Sequence, residues 1–252
     1  MDLLNVSVVL PLYKPKGNWQ LAFTANVKEL NEVMSPNVSI EYIVVNDGTD
    51  DTDIRDFFSG LQTQYNVRYI SYEENQGKGF AQRAGVALAS SPYVILTDFD
   101  FPYVTENIVA MVQELKKGNE IVIGRRDKRY FRNLPFSRRV ISEAYMFLCR
   151  LCFHSSLIDV QSGIKGFNQT GKAVFLKTEV NRFLVDTEFV LRALHEDLSM
   201  ENINITLKPG IHFSNFGSGT IFTELKNFFS LIKLNRSLKR GDRMLNERVA
   251  QA

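Results

Sequence analysis

Two carboxylates one residue apart, Asp98 and Asp100, directly follow an apolar run at residues 93–97. Hard oxygen donors at the carboxyl end of a strand can hold a divalent cation, and such a cation can neutralise the oxygens of a diphosphate. The same D-x-D pattern is also ordinary in solvated turns, so its place on the fold decides its meaning. A second polar cluster, Asn46-Asp47-Gly48-Thr49-Asp50-Asp51, closes the apolar run 42–45. Its carboxylates and amide could bond a base or ribose, while Thr49, Asp50 and Asp51 are equally suited to cap a helix. A third group, Asn75-Gln76-Gly77-Lys78-Gly79-Phe80, brings glycines and a cation to the start of a helix, where phosphate can be received. It lacks the G-x-x-x-x-G-K-[ST] order of a P-loop. Gln82 stands where a dinucleotide fingerprint needs its third glycine, so both of those motifs are excluded and a plain loop cap remains the alternative.

These groups require a scaffold that places strand ends side by side. Residues 6–12, a β-branched and apolar run closed by Pro11, and 42–45, another, read as buried strands, and residues 19–34 between them carry apolar side chains at helical spacing. A strand at 67–71, a helix at 79–89, the strand 93–97, a helix at 104–117 and a strand at 120–124 repeat the alternation. Strand, helix, strand in this order predicts a doubly wound, mainly parallel sheet, whose ligands lie beyond the carboxyl ends of its strands. Further helices are expected at 142–153 and 186–194 and a strand at 203–207.

Residues 125–139 hold seven basic side chains and one acid. They form either a solvated loop paired with nearby acids or a clamp for an anion. A nucleic-acid partner is disfavoured, since the whole chain carries a formal charge of only +2 and stacking aromatics at regular intervals are missing. Cys149 and Cys152 share one apolar helical face, and with no other cysteine in the chain they read as core thiols rather than a metal or redox pair. The N-terminus lacks a basic leader and no run approaches ~18 apolar residues, so neither a signal peptide nor a membrane span is expected.

Taken in order, VSVVLPLY, VVNDGTDD, ENQGKGFAQRAG, TDFDFPY, GRR, SRR and DVQSGIKGF resemble the family 2 glycosyltransferases of GT-A fold, and most closely their polyprenyl-phosphate branch. The resemblance, over roughly residues 5–210, implies an α/β, mainly parallel twisted sheet flanked by helices; residues 1–219 are expected to form this domain and 220–252 a basic amphipathic helical extension. It implies an inverting transfer from a UDP- or GDP-linked sugar to a polyprenyl phosphate or other lipid-linked acceptor. Pro11, Tyr13, Asp47, Asn75, Lys78 and Asp98 would bind the nucleotide sugar, and Asp98 with Asp100 would hold Mg²⁺ or Mn²⁺. Arg125 or Arg126 and Arg138 or Arg139 would meet the acceptor phosphate. Asp159 and Glu188 fall where the family approaches the reacting centre, as general base or as positioning groups, although Asp159 could simply cap the turn before Gly163. His212 has a weaker claim. Pro102 departs from the polar residue that completes the metal shell in the mannose synthases. Transfer to a sugar hydroxyl in cell-surface polysaccharide synthesis, and a non-catalytic sugar-nucleotide-binding subunit, are the alternatives.

Apolar positions 221, 225, 228, 229 and 232 share a helical face flanked by Lys226, Lys233, Arg236, Lys239, Arg240 and Arg243. Residues 221–243 could therefore lie on a membrane surface, or pack on the core, a second copy or a membrane subunit. The expected location is cytoplasmic, peripheral on the inner face of the membrane.

Overall fold

The computed structural model describes residues 4–62, 64–126, 130, 135–153, 159–160, 162–211 and 218–250, with the side chains of 137, 138, 218–222 and 241–250 outside the description. The strands are β1 (Leu4–Leu12), β2 (Val38–Asp47), β3 (Val67–Tyr72), β4 (Tyr93–Leu96), β5 (Ile121–Arg126), β6 (Lys165–Phe167) and β7 (Met200–Ile205). The helices are α1 (Trp19–Val33), α2 (Thr52–Leu61), α3 (Lys78–Leu88), α4 (Thr105–Lys116), α5 (Phe136–Phe153), α6 (Gln169–Leu176), α7 (Val185–His195) and α8 (Ser218–Ala250).

The strands form one sheet in the order β3-β2-β1-β4-β6-β5-β7. β1 pairs in parallel with β2 and β4, and β2 with β3. β6 runs antiparallel between β4 and β5, so β5 again points the same way as β4. The carboxyl ends of β1, β2, β3, β4 and β5 therefore share one edge. Order reverses at β1, whose neighbours are β2 on one side and β4 on the other, and an open α/β sheet forms its crevice at that point.

Strand residues alternate between two apolar layers. Val6, Val8 and Leu10 join Phe23 and Val27 of α1 and Phe58 of α2 on one face. Val9, Ile43 and Val45 meet Ala81 and Val86 of α3 on the other. Both faces are covered, as the continuous apolar strands require. Gly85 sets the spacing of α3, since a Cβ there would stand 2.4 Å from Val9 Cγ1.

The expected strand at 203–207 lies earlier, at Met200–Ile205, because β7 follows the register of β5 from Ile121↔Met200 to Arg126↔Ile205. Helix 142–153 begins earlier, at Phe136. Cys149 is buried and Cys152 partly so, and burial pushes the Cys149 thiol up to about 12, which keeps it inert. Among the described residues no helix is long and apolar enough to cross a membrane.

Candidate active site at the sheet edge

A cleft of about 900 Å³ opens where β1, β2 and β4 end. Pro11, Tyr13, Asp47, Asn75, Lys78, Asp98 and Asp100 all line it. Residues separated by as many as 89 positions are thus gathered by sheet topology, as their placement after strands required.

Asp47 organises the wall. Its Oδ1 accepts from Tyr72 Oη at 2.8 Å and from the Gln76 amide at 2.8 Å. Its Oδ2 accepts from Asn75 Nδ2 at 2.8 Å and the Gly77 amide at 3.0 Å. The carboxylate expected to face a base is therefore spent on the 75–77 loop, and it helps place Lys78 at the start of α3. Gly48 lets that loop cross, because its φ is +72° and a Cβ would lie 2.3 Å from the Asn75 nitrogen. Of the cap candidates, Asp51 caps α2, accepting from the Asp53 amide at 2.9 Å.

The D-x-D is fixed by its middle residue. Phe99 stacks on Phe23 at 5.3 Å between ring centroids and also contacts Trp19. Phe101, buried at φ 45°, closes a tight turn by donating its amide to the Asp98 carbonyl at 3.0 Å. Asp98 Oδ1 accepts from Lys78 Nζ at 2.5 Å. Loss of hydration in the cleft and the neighbouring Asp98 charge push Asp100 up to about 6. Two carboxylates that repel each other in one cleft form a donor set suited to a divalent cation, which would relieve that repulsion. Among the described residues no group of three or more His, Cys, Asp or Glu gathers around them. These two side chains fit an ion that takes its remaining ligands from diphosphate oxygens and water, the usual habit of Mg²⁺.

The basic segment divides. Arg126 at the end of β5 binds Asp159 through two parallel bonds, Nε to Oδ2 and Nη2 to Oδ1, both 2.6 Å, with both side chains under 10% exposed. Its ring contact with Tyr130 and its bond to Ser142 complete an internal site. Arg125 is exposed at the same edge. Arg139 pairs with Glu143 at 2.8 Å on the solvent side of α5. The side chain of Arg138 and all of His212 lie outside the described residues.

Glu188 does not face the cleft. It is 1% exposed and accepts from the amides of Glu179 and Val180 at 2.8 and 2.7 Å and from Arg192 at 2.8 Å. Two residues earlier, Asp186 turns instead to the buried Lys165, which it bonds at 2.8 Å. Sequence reasoning missed both members of this pair. A lysine within the short segment IKGF, followed by a D-x-E at a helix start, was the signal available.

The Glycosyl transferase family 2 model matches residues 7–175. A dolichol-phosphate mannosyltransferase from Pyrococcus furiosus is 24% identical over 247 residues, covering 94% of this chain and 66% of that protein. A Drosophila melanogaster dolichyl-phosphate beta-glucosyltransferase is 28% identical over 220 residues, covering 80% of this chain and 66% of its own length. The chain thus spans just under two thirds of either relative. A Mycobacterium tuberculosis glucosyl-3-phosphoglycerate synthase, solved with Mn²⁺, UDP-glucose and phosphoglyceric acid, superposes with a TM-score of 0.58 at 15% identity, covering 86% of this chain and 74% of that one. At that identity the likeness is one of fold.

Proposed function

Since the chain belongs to glycosyl transferase family 2, we propose that it moves a sugar from a nucleoside diphosphate donor, UDP- or GDP-linked, to a polyprenyl phosphate, with inversion at the anomeric carbon. The observation that carries the donor half is the single cleft in which Lys78, Asp98 and Asp100 meet the walls formed by Pro11, Tyr13, Asp47 and Asn75. Mg²⁺ or Mn²⁺ held by Asp98 and Asp100 would supply positive charge to the departing diphosphate. Lys78 supplies a second, fixed cation from the chain itself. Asp47 holds the 75–77 loop in shape before the donor arrives, so little reorganisation is left for the reaction.

The acceptor half rests on the state of the two candidate bases. Asp159 is locked on Arg126, and Glu188 is saturated by two amides and Arg192. A sugar hydroxyl needs a group able to take its proton, whereas a phosphate monoester is already ionised at neutral pH and needs cations. The names of the Pyrococcus and Drosophila relatives support the same acceptor class. Arg125 and Arg139, exposed among the described residues of the basic segment, would meet the phosphate, with Arg138 beside Arg139 in sequence. The exposed Arg139–Glu143 pair is worth under ~1 kcal/mol and gives way readily. Arg126 acts instead through Asp159, as a fixed brace under the acceptor side.

A lipid-linked acceptor places the protein at a bilayer, on the inner face where nucleotide sugars are available. Release of UDP and of GDP from a panel of sugar nucleotides, with and without polyprenyl phosphate, tests the reading. Release that depends on polyprenyl phosphate is expected. Equal release with a sugar-hydroxyl acceptor alone would overturn the acceptor assignment, and no release from any donor would leave a binding subunit.

A further inference from the structure

Lys165 sits in β6, in the interior of the sheet, and is 0% exposed. An ion pair in such a place is a weak source of stability, because desolvating two charges costs about as much as their attraction returns. The position calls for another explanation. Lys165 Nζ donates to Asp186 Oδ1 at 2.8 Å and to the Ser162 carbonyl at 2.5 Å. Each contact leads to the Lys78–Asp98 pair by its own route.

On one side, the start of α7 packs on the start of α3: a Cβ on Gly79, next to Lys78, would stand 2.9 Å from the Cβ of Val185, next to Asp186, so the Asp186 charge acts on Lys78 alongside that of Asp98. On the other, the Ser162 carbonyl fixes the residue next in the chain, Gly163. That residue lies so close to the D-x-D that a Cβ on it would stand 2.8 Å from Asp98 Oδ2. Charges alternate from Lys165 through Asp186 and Lys78 to Asp98. If the first cation were lost, Asp186 would be a buried carboxylate without its partner, a costly state. Lys78, already within its field, is the cation that can swing across to it.

Resting on the nucleotide-sugar reading above, we propose that Lys165 is a positioning residue: by occupying Asp186 it keeps Lys78 on Asp98 and directed at the donor's diphosphate. Lys165 touches neither donor nor metal. Its removal separates two properties that a general loss of structure would lower together. Donor affinity falls because Lys78 has left the cleft, and metal affinity does not fall because Asp98 has been freed of its competitor.

The test is calorimetric binding of Mn²⁺ alone and of UDP and GDP with Mn²⁺, to wild type, K165M, K165R, D186N and K165M/D186N. K165M is expected to weaken the diphosphate that wild type binds by about tenfold or more, the worth of a charged hydrogen bond. Mn²⁺ alone should bind it as tightly as wild type or more so. Neutralising Asp186 removes the competing carboxylate, so K165M/D186N should return to within about threefold of wild type, the interaction appearing as non-additivity of the two changes. K165R should lie between wild type and K165M. Should K165M not fold, K165Q, which is neutral but keeps a donor for the Ser162 carbonyl, carries the same comparison against wild type. Diphosphate affinity in K165M equal to wild type, parallel loss of Mn²⁺ and diphosphate, or no recovery in the double variant would each overturn the proposal. Wild type binding neither diphosphate would overturn it together with the reading on which it rests.

Discussion

At the scale of single residues, the site depends on which charges are free and which are already engaged. Asp98→Asn and Asp100→Asn should each lower turnover roughly 100-fold or more while leaving the melting temperature within a few degrees, since these groups act on developing charge rather than on the core. Steady-state assays in Mg²⁺ and Mn²⁺ measure this, and activity within twofold of wild type in both would remove the metal-diphosphate assignment. The double change Arg125→Ala with Arg139→Ala should raise the KM for polyprenyl phosphate by about tenfold or more, as expected for lost guanidinium-phosphate bonds, and leave the KM for the donor unchanged. Equal effects on both substrates would point to folding instead. Sequence could bring Asp47, Lys78, Asp98 and Asp100 to one edge because each follows a strand or begins a helix. It could not tell Asp186 from Glu188, because both sit in the first turn of one helix. Residues two apart differ by about 200° around the axis, so which of them turns to Lys165 in the sheet depends on how the helix is seated on it.

At the scale of elements, the fold was legible wherever burial imposed a continuous apolar run, as in β1, β2 and β4. It was illegible where the sheet broke its own pattern. β6 has three residues, begins with a buried lysine and contains Gly166, whose Cβ would stand 2.8 Å from Ile95 Cδ1, so it carries no strand signature. β7 is an edge strand whose Glu201 is exposed, which shifted the apparent strand toward Ile203 and Leu207. Another element-level device is Glu41, a buried carboxylate on β2 that ties together the start of β1 and the turn before β4. It accepts from the Ser7 hydroxyl, from the Ser90 amide and hydroxyl at 2.7 and 2.9 Å, and from the Ser91 hydroxyl at 3.2 Å. Burial alone would raise its pKa, but these donors together outweigh it and hold the group below the ordinary 4.5. A depressed folded value means that its stabilisation is complete above pH 4.5 and is lost as pH falls through the lower folded value. Glu41→Gln should cost about 1–3 kcal/mol at neutral pH, from donors left without a full acceptor, and should flatten the acid limb of the stability curve. Denaturant titrations between pH 3 and 7 decide it, and an unchanged acid limb in the variant would show that other carboxylates govern the transition.

For the whole molecule, the question is which surface would meet the bilayer that the proposed lipid-linked acceptor requires. The basic helix expected at 221–243 is committed in part to the core, for Phe228 and Leu231 are buried and Phe228 packs edge-on against Tyr145 and Phe153 of α5. Among its described residues, Leu225 and Phe229 are apolar and turned outward, 48% and 59% exposed. They are joined by the free face of α5, where Phe136, Phe147 and Leu151 are 83%, 64% and 64% exposed. Large apolar side chains on two contacting helices, with Arg139, Arg150, Lys233 and Arg236 exposed on the same helices, are the composition of an interfacial surface. Each basic residue near an anionic bilayer is worth about 1 kcal/mol and is screened by salt. The protein should therefore bind anionic liposomes in low salt and release as salt rises. The triple change Phe147→Ser, Leu151→Ser and Phe229→Ser should weaken that binding about tenfold or more with little effect on melting, because these side chains support nothing inside. Truncation after Gly219 should behave differently, lowering thermal stability by stripping Phe228 and Leu231 from the second apolar layer. Co-sedimentation with vesicles and light scattering, run on the same samples, separate the outcomes. If the triple variant keeps its liposome binding but changes from dimer to monomer, the α5–α8 face belongs to a second copy of the chain, and the acceptor must reach the cleft by another route.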